Sequence, residues 1–151
     1  MNDDDKSFID DINPSPEEIR TILQRSKKIA VVGLSPKEDR PSNRVAKYLM
    51  EHGFDIVPVN PGQKEILGKK CYSSITDIPF DIDIADLFLN ASRVPDAVDQ
   101  ALQKGIKIIW MQLGIYHREA GEKAAKAGAT VIMDRCMKIE HEKMNNPLSI
   151  I

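Results

Sequence analysis

Apolar residues fall along this chain in two patterns. The first is a set of short, almost solid blocks: Ile29 to Val32, Ile84 to Leu89, Ile106 to Leu113 and Thr130 to Met133. Blocks of this length, rich in β-branched residues, suit strands buried on both faces. The second pattern is apolar residues at helical spacing between the blocks. Val45, Ala46, Leu49 and Met50 form one such stripe, ended by Gly53, and Val94, Val98, Ala101 and Leu102 form another, ended by Gly105. The alanine-rich run from His117 to Ala127 is a third, stopped by Gly128. Glycine in these places ends a helix because it accepts positive φ without steric cost.

Polar residues mark the starts. Ser15-Pro16-Glu17-Glu18 reads as an N-cap, a proline at the first helical position and a capping-box glutamate, ahead of Ile19, Ile22 and Leu23 on a face that runs to about Ser26. Ser42 and Ser92 are the expected caps of the Val45 and Val94 helices. Phe54 to Asn60 predicts a further strand, with Pro58 near its end implying that the ladder is interrupted or at an edge there, and Asn60-Pro61-Gly62 turns the chain. A loop with Gly68 and a short helical turn over Ser74 to Ile78 precede the Ile84 strand. Met1 to Lys6 is polar and acidic and predicts a frayed terminus.

Strands alternating with helices imply parallel neighbours joined by crossovers. The expected fold is α/β: a Rossmann-like, doubly wound parallel sheet of about five strands with helices on both faces. The expected organisation is a flexible segment over 1–14, a single domain over 15–143 and a tail over 144–151. In such a sheet a ligand lies beyond the carboxyl ends of the strands, where strand order reverses.

Composition narrows the ligand. With 151 residues, 42% apolar, and a net charge of −2, the chain has material for one core and no global basic character to attract nucleic acid or an anionic membrane. No apolar run approaches the roughly 20 residues of a membrane span. Cys71 and Cys136 lie far apart and no leader precedes the domain, so a reducing cytoplasm is the expected compartment.

The chemistry concentrates after the first strand. Gly33 permits a tight turn and close backbone approach, Ser35, Ser42 and the amino end of the next helix can donate to phosphate, and Lys37, Arg40 and Arg44 supply positive charge. One glycine by itself does not separate a binding loop from an ordinary turn. A dinucleotide site of the NAD type would add two more glycines here and an acid at the end of the second strand for the ribose hydroxyl. That strand instead ends Val59-Asn60-Pro61. A glycine-poor, basic loop suits a ligand with extra phosphate charge, and the planar fork of Arg40 is the best single partner for it.

Together these residues resemble a known family, the small stand-alone coenzyme A-binding proteins, which are similar to the coenzyme A-binding domain of the succinyl-CoA synthetase alpha subunit. The resemblance covers Lys27 to His141 and rests on Val31 to Ser42 (VVGLSPKEDRPS), Val57 to Pro61 (VPVNP), Trp110 to Gly114 (WMQLG) and Met133 to Cys136 (MDRC). It implies coenzyme A or an acyl-CoA as ligand. Leu34, Ser35, Pro36 and Lys37 would wrap the pyrophosphate, Arg40 would meet the ribose phosphate, and Asn60 and Pro61 would lie at the adenosine end. Phe88 to Arg93, including Asn90, and Gln112, Leu113 and Gly114 would flank the pantetheine arm. Glu38 and Asn43 depart from the residue types of many relatives.

No catalytic constellation accompanies the loop. The histidine that transfers phosphoryl groups in the synthetases belongs to a further domain, and His52, His117 and His141 show no metal spacing and suit capping or surface roles. There is neither a G-x-S-x-G elbow nor a C-x-x-C pair. Cys136 follows the last strand at the sheet end that should hold the ligand, where oxidation would bring it into a mixed disulfide with a bound thiol, although a packed side chain is the commoner role. Cys71, Trp110, Met133 and Met137 read as packing residues. The expectation is therefore a binding protein that catalyses nothing itself. A nicotinamide- or nucleotide-dependent oxidoreductase and a ligand-sensing module with a protein partner stand as alternatives, and free thiol versus acyl ester and the oligomeric state stay open.

Overall fold

A computed structural model describes residues 1–145. Its elements in chain order are α1 (Asp3–Ile12), α2 (Pro16–Arg25), β1 (Lys28–Val32), α3 (Pro41–Glu51), β2 (Asp55–Val59), β3 (Glu65–Ile66), β4 (Lys69–Lys70), β5 (Ile84–Leu87), α4 (Val94–Lys104), β6 (Ile108–Met111), α5 (Arg118–Lys126), β7 (Thr130–Ile132) and α6 (Met137–Met144), with 3-10 turns at Ile75–Asp77 and Ala91–Arg93.

The main sheet has five parallel strands in the order β2-β1-β5-β6-β7. Side chains alternate between its faces, and each face has its own core. Ala30, Val32, Ala85, Leu87, Ile109, Met111 and Val131 pack toward α1, α4 and α5, whereas Ile29, Val31, Ile84, Trp110 and Ile132 pack toward α2, α3 and α6. This is the Rossmann-like α/β architecture read from the pattern of apolar blocks. The chain leaves β1 for β2 on one side and returns to β5 on the other, so strand order reverses between β1 and β5, where Val32 lies opposite Leu87. Pro58 sits on β2, which is an edge strand, the second of the two readings, and Tyr72 covers part of that edge by bridging Val59 and donating its amide to the Pro58 carbonyl.

Several caps form as read. Ser15 accepts from the Glu18 amide in a full capping box, Gly105 ends α4 at φ 87°, and the His117 side chain caps α5. Others differ. Ser42 is not the cap of α3; Arg40 holds that position in extended backbone and Pro41 opens the helix. Ser92 lies inside the 3-10 turn that leads into α4, and the cap position falls to Arg93.

Both ends of the chain carry more structure than expected. The polar start forms α1, because Asn2 caps it, Asp3 to Asp5 favour its positive amino end, and Ile9 anchors it in the core at 2% exposure. Asn13 then donates to the Met133 carbonyl and accepts from its amide, closing the open edge beyond β7. At the other end Met137–Met144 forms α6, and His141, expected at the surface or a cap, is buried. Met144 and Asn145 end this helix, and the rest of the expected tail lies outside the described residues. Among the described residues no helix is long and apolar enough to cross a membrane.

Candidate functional site

The loop after β1 is held by side chains from three directions. Gly33, at φ 86°, donates its amide to Val59 and lies so close to β5 that any Cβ would collide with the carbonyl oxygen of Phe88. The close approach expected of this glycine is therefore made to a neighbouring strand. Ser42 accepts from the Ser35 amide at 3.0 Å, Asn43 donates to the Ser35 carbonyl at 2.9 Å, and Asn60 donates to the Leu34 carbonyl at 2.9 Å. Ser35 in turn accepts from the Lys37 amide at 3.1 Å. Ser42 and Asn43 are buried, so the first turn of α3 serves as an anchor for this loop.

Two clefts open on either side of the Gly33–Phe88–Leu89 seam at the reversal of strand order. The larger, 730 Å³, is lined by Gly33, Ser35, Lys37, Arg40, Ser42, Asn90, Gln112 and Leu113, together with Pro41, Val45, Phe88, Leu89, Ile115 and Cys136. The smaller, 510 Å³, takes Asn60, Pro61 and Arg93 with Gly33, Ser73, Ser74, Asp96 and Gln100. Leu34, Pro36 and Gly114 line neither. Leu34 is wholly buried, Pro36 lies exposed on the loop, and Gly114 forms a turn whose amide donates to Asp134. Arg44 is exposed on α3 away from both clefts.

Charge around the clefts is one-sided. Among the described residues no ion pair or hydrogen bond engages the side chain of Lys37, Arg40 or Arg93, and Asp96 is the one carboxylate lining either cleft. Asp96 accepts from Gln100, which also accepts from the Ile75 amide. Sequence reasoning did not single out Ser73, Ser74, Asp96 or Gln100. A signal existed for the last two, since Arg93, Asp96 and Gln100 recur at the spacing of one helical face.

The cysteines occupy different settings. Cys71 is buried with Sγ 3.5 Å from the Asn60 carbonyl, and burial pushes its thiol above the ordinary value. Cys136 is half-buried in the wall of the larger cleft. Trp110 is a core residue whose indole donates to the Arg135 carbonyl at 2.8 Å, and Met133 and Met137 are fully buried. Among the described residues no cluster of three or more His, Cys, Asp or Glu is arranged to hold a metal ion.

Known proteins share this sequence pattern and fold. The chain is 43% identical over 129 residues to the uncharacterized protein YneT of Bacillus subtilis, covering 85% of this chain and 96% of that one. A solved structure of a hypothetical protein from Pyrococcus horikoshii superposes with a TM-score of 0.86 at 49% identity, covering 88% of this chain and 94% of the other. An ADP-forming acetate–CoA ligase of Archaeoglobus fulgidus is 39% identical over 103 residues, 66% of this chain, but the chain spans only 15% of that enzyme's length. Residues 27–142 match the family described as CoA binding domain, and the chain belongs to that family.

Proposed function

We propose that the chain binds coenzyme A or an acyl-CoA across the carboxyl ends of β1, β2, β5 and β6, and catalyses no reaction of its own. The observation that carries this reading is the set of three cations, Lys37, Arg40 and Arg93, without ion-pair partners among the described residues, around two adjoining clefts of a protein with net charge −2. Coenzyme A combines a pyrophosphate, a ribose phosphate and a long uncharged arm. Arg40 and Lys37 suit the phosphates, while Val45, Phe88, Leu89, Leu113 and Ile115 give the larger cleft an apolar wall for the arm. The polar smaller cleft, with Asn60 and Pro61 at its rim, suits the adenosine end. No acid follows β2 to take a ribose hydroxyl in the manner of NAD sites.

Absence of catalysis is inferred from the cleft walls. Their titratable side chains are Lys37, Arg40, Arg93, Asp96 and Cys136, and among the described residues none of these hydrogen-bonds to another, so no nucleophile stands beside a base. Titration calorimetry tests the binding. Wild type should take up coenzyme A with higher affinity than dephospho-coenzyme A, and Arg40→Ala should lose about tenfold or more for coenzyme A, the value of a charge-assisted hydrogen bond of roughly 1.5–3 kcal/mol, and with it the preference. Equal affinity of wild type for both ligands would remove the role of Arg40, and no binding of either would remove the reading itself.

A further inference from the structure

The carboxyl end of α3 meets α6 in a cluster of rings that lines neither cleft. His141 is 9% exposed, and its Nδ1 lies 2.8 Å from the Tyr48 hydroxyl and 3.3 Å from the Asn145 amide nitrogen. The His52 ring stacks on Tyr48 at 4.0 Å and lies edge-on to His141 at 5.3 Å, and Phe54 closes the cluster at 5.4 Å. An amide NH₂ only donates, so Asn145 Nδ2 placed toward Nδ1 favours an accepting Nδ1, which is the neutral imidazole with its hydrogen on Nε2. A proton on Nδ1 would point at the Asn145 donor. The Tyr48 hydroxyl could turn to accept it, but Asn145 could not without rotating its amide and giving up its second contact, to the His141 carbonyl at 3.3 Å.

The charges around the imidazole reinforce this. From α3 come Tyr48 and His52; from α6 itself come Lys138, whose ammonium sits 5.5 Å from the Tyr48 ring, and Glu142. Helix α2 contributes Arg20 to a cleft that it shares with Glu140 and Lys143. Burial first, and His52 second, hold the imidazole below its ordinary value of 6.5, while Glu142 acts in the opposite direction.

The two helices tied here also build the larger cleft at their other ends. Pro41, Ser42 and Val45 of α3 line it, as does Cys136 at the cap of α6. The next amide of α6, Met137, donates to Gln112 at 3.0 Å and so sets a further wall residue.

We propose that His141 is a proton-operated latch: neutral, it fastens α6 to α3 and keeps the larger cleft assembled, and protonated in mild acid it releases α6 and lowers ligand affinity. The ligand half of this inference rests on the coenzyme A reading above. The sign follows from linkage. With the folded imidazole harder to protonate than the unfolded one, the stabilisation is complete above about pH 6.5 and is lost as pH falls below it toward the depressed folded value.

Amide hydrogen exchange over 137–145 and calorimetry with coenzyme A, each at about pH 7.5 and about pH 5, should be run on wild type and His141→Asn. The asparagine oxygen stands at the Nδ1 position and can take the same donors but does not titrate. Wild type should show faster exchange in α6 and an affinity loss of about threefold to tenfold in acid beyond any loss in the variant, which also corrects for titration of the ligand phosphates. Identical pH responses of the two proteins would overturn the latch. Faster exchange with unchanged affinity would overturn its control of the cleft. If coenzyme A fails to bind at the higher pH, the ligand reading falls and the exchange data alone decide the latch. Should His141→Asn not fold, Tyr48→Phe serves, because loss of one donor to Nδ1 eases protonation and should shift the acid-induced opening of α6 to higher pH; an unmoved transition counts against the proposal.

Discussion

The carboxyl group of Asp86 lies on the sheet face between Val31 and Trp110, in register with both, wholly buried and with neither oxygen hydrogen-bonded. Burial raises its pKa well above the ordinary 3.8. The unfolded chain therefore gives up this proton at a lower pH than the folded one, and stability falls as pH rises from the ordinary carboxyl range toward the raised value. Asp86→Asn should flatten that slope in chemical denaturation across pH, and a slope unchanged from wild type would show that another group carries it. Asp86→Val should gain on the order of 1 kcal/mol at neutral pH, about 2–4 °C in Tm, by removing a desolvated polar group from the core. Ile84 to Leu89 was legible as a strand, and period-two alternation even assigns Asp86 a face. That no donor meets it there is a fact about the packed neighbours. Gly33 illustrates the same division: its turn was legible, while the reason for its missing side chain is the Phe88 carbonyl of a strand more than fifty residues away.

At the scale of elements, local signals were read well where the partner is local. The Ser15 box closes within one turn, and Pro16 and Glu18 were sufficient to find it. Ser42 was misread because its hydroxyl serves a residue seven positions back across the loop, holding the Ser35 amide instead of its own helix. Helix α6 was missed for a related reason. Met137, His141 and Met144 recur at helical spacing, but the stripe is visible only if a histidine is counted as a core residue. Loop anchoring gives a prediction at this scale. Asn43→Ala should cost roughly 1 kcal/mol of stability through the lost hydrogen bond to Ser35. It should also weaken coenzyme A binding severalfold, because the segment carrying Lys37 and Arg40 loses a point of attachment. Paired melting and calorimetry measure both effects, and unchanged affinity would mean that Asn43 does not position the loop.

For the whole molecule, α1 is the informative test. Ile9 joins the core on the α4–α5 face, Tyr116 donates to Asp5 at 3.0 Å, and Asn13 pairs with the backbone of Met133, yet none of these residues lines a cleft. Removing residues 1–14 should lower stability by roughly 2–4 kcal/mol, the cost of emptying a buried aliphatic site together with the open edge beyond β7. Affinity for coenzyme A should stay within about twofold of wild type by the additivity of distant sites. A large loss of affinity would mean that the terminal helix shapes the clefts from a distance.

The alternation of apolar blocks and stripes was enough to determine the α/β class, the parallel sheet and its two helical layers, because period, caps and turns are properties of neighbouring residues. Four short motifs in order were enough to point to the coenzyme A-binding family. Tertiary structure alone decided which residues share a cleft, that Leu34 turns into the core while Phe88 stands at the seam, and that Asp86 is buried without a partner. It alone closed the edge beyond β7 with an asparagine 120 positions away and locked His141 against Tyr48. Those outcomes depend on which distant groups the fold brings within hydrogen-bonding distance, and no local period encodes that.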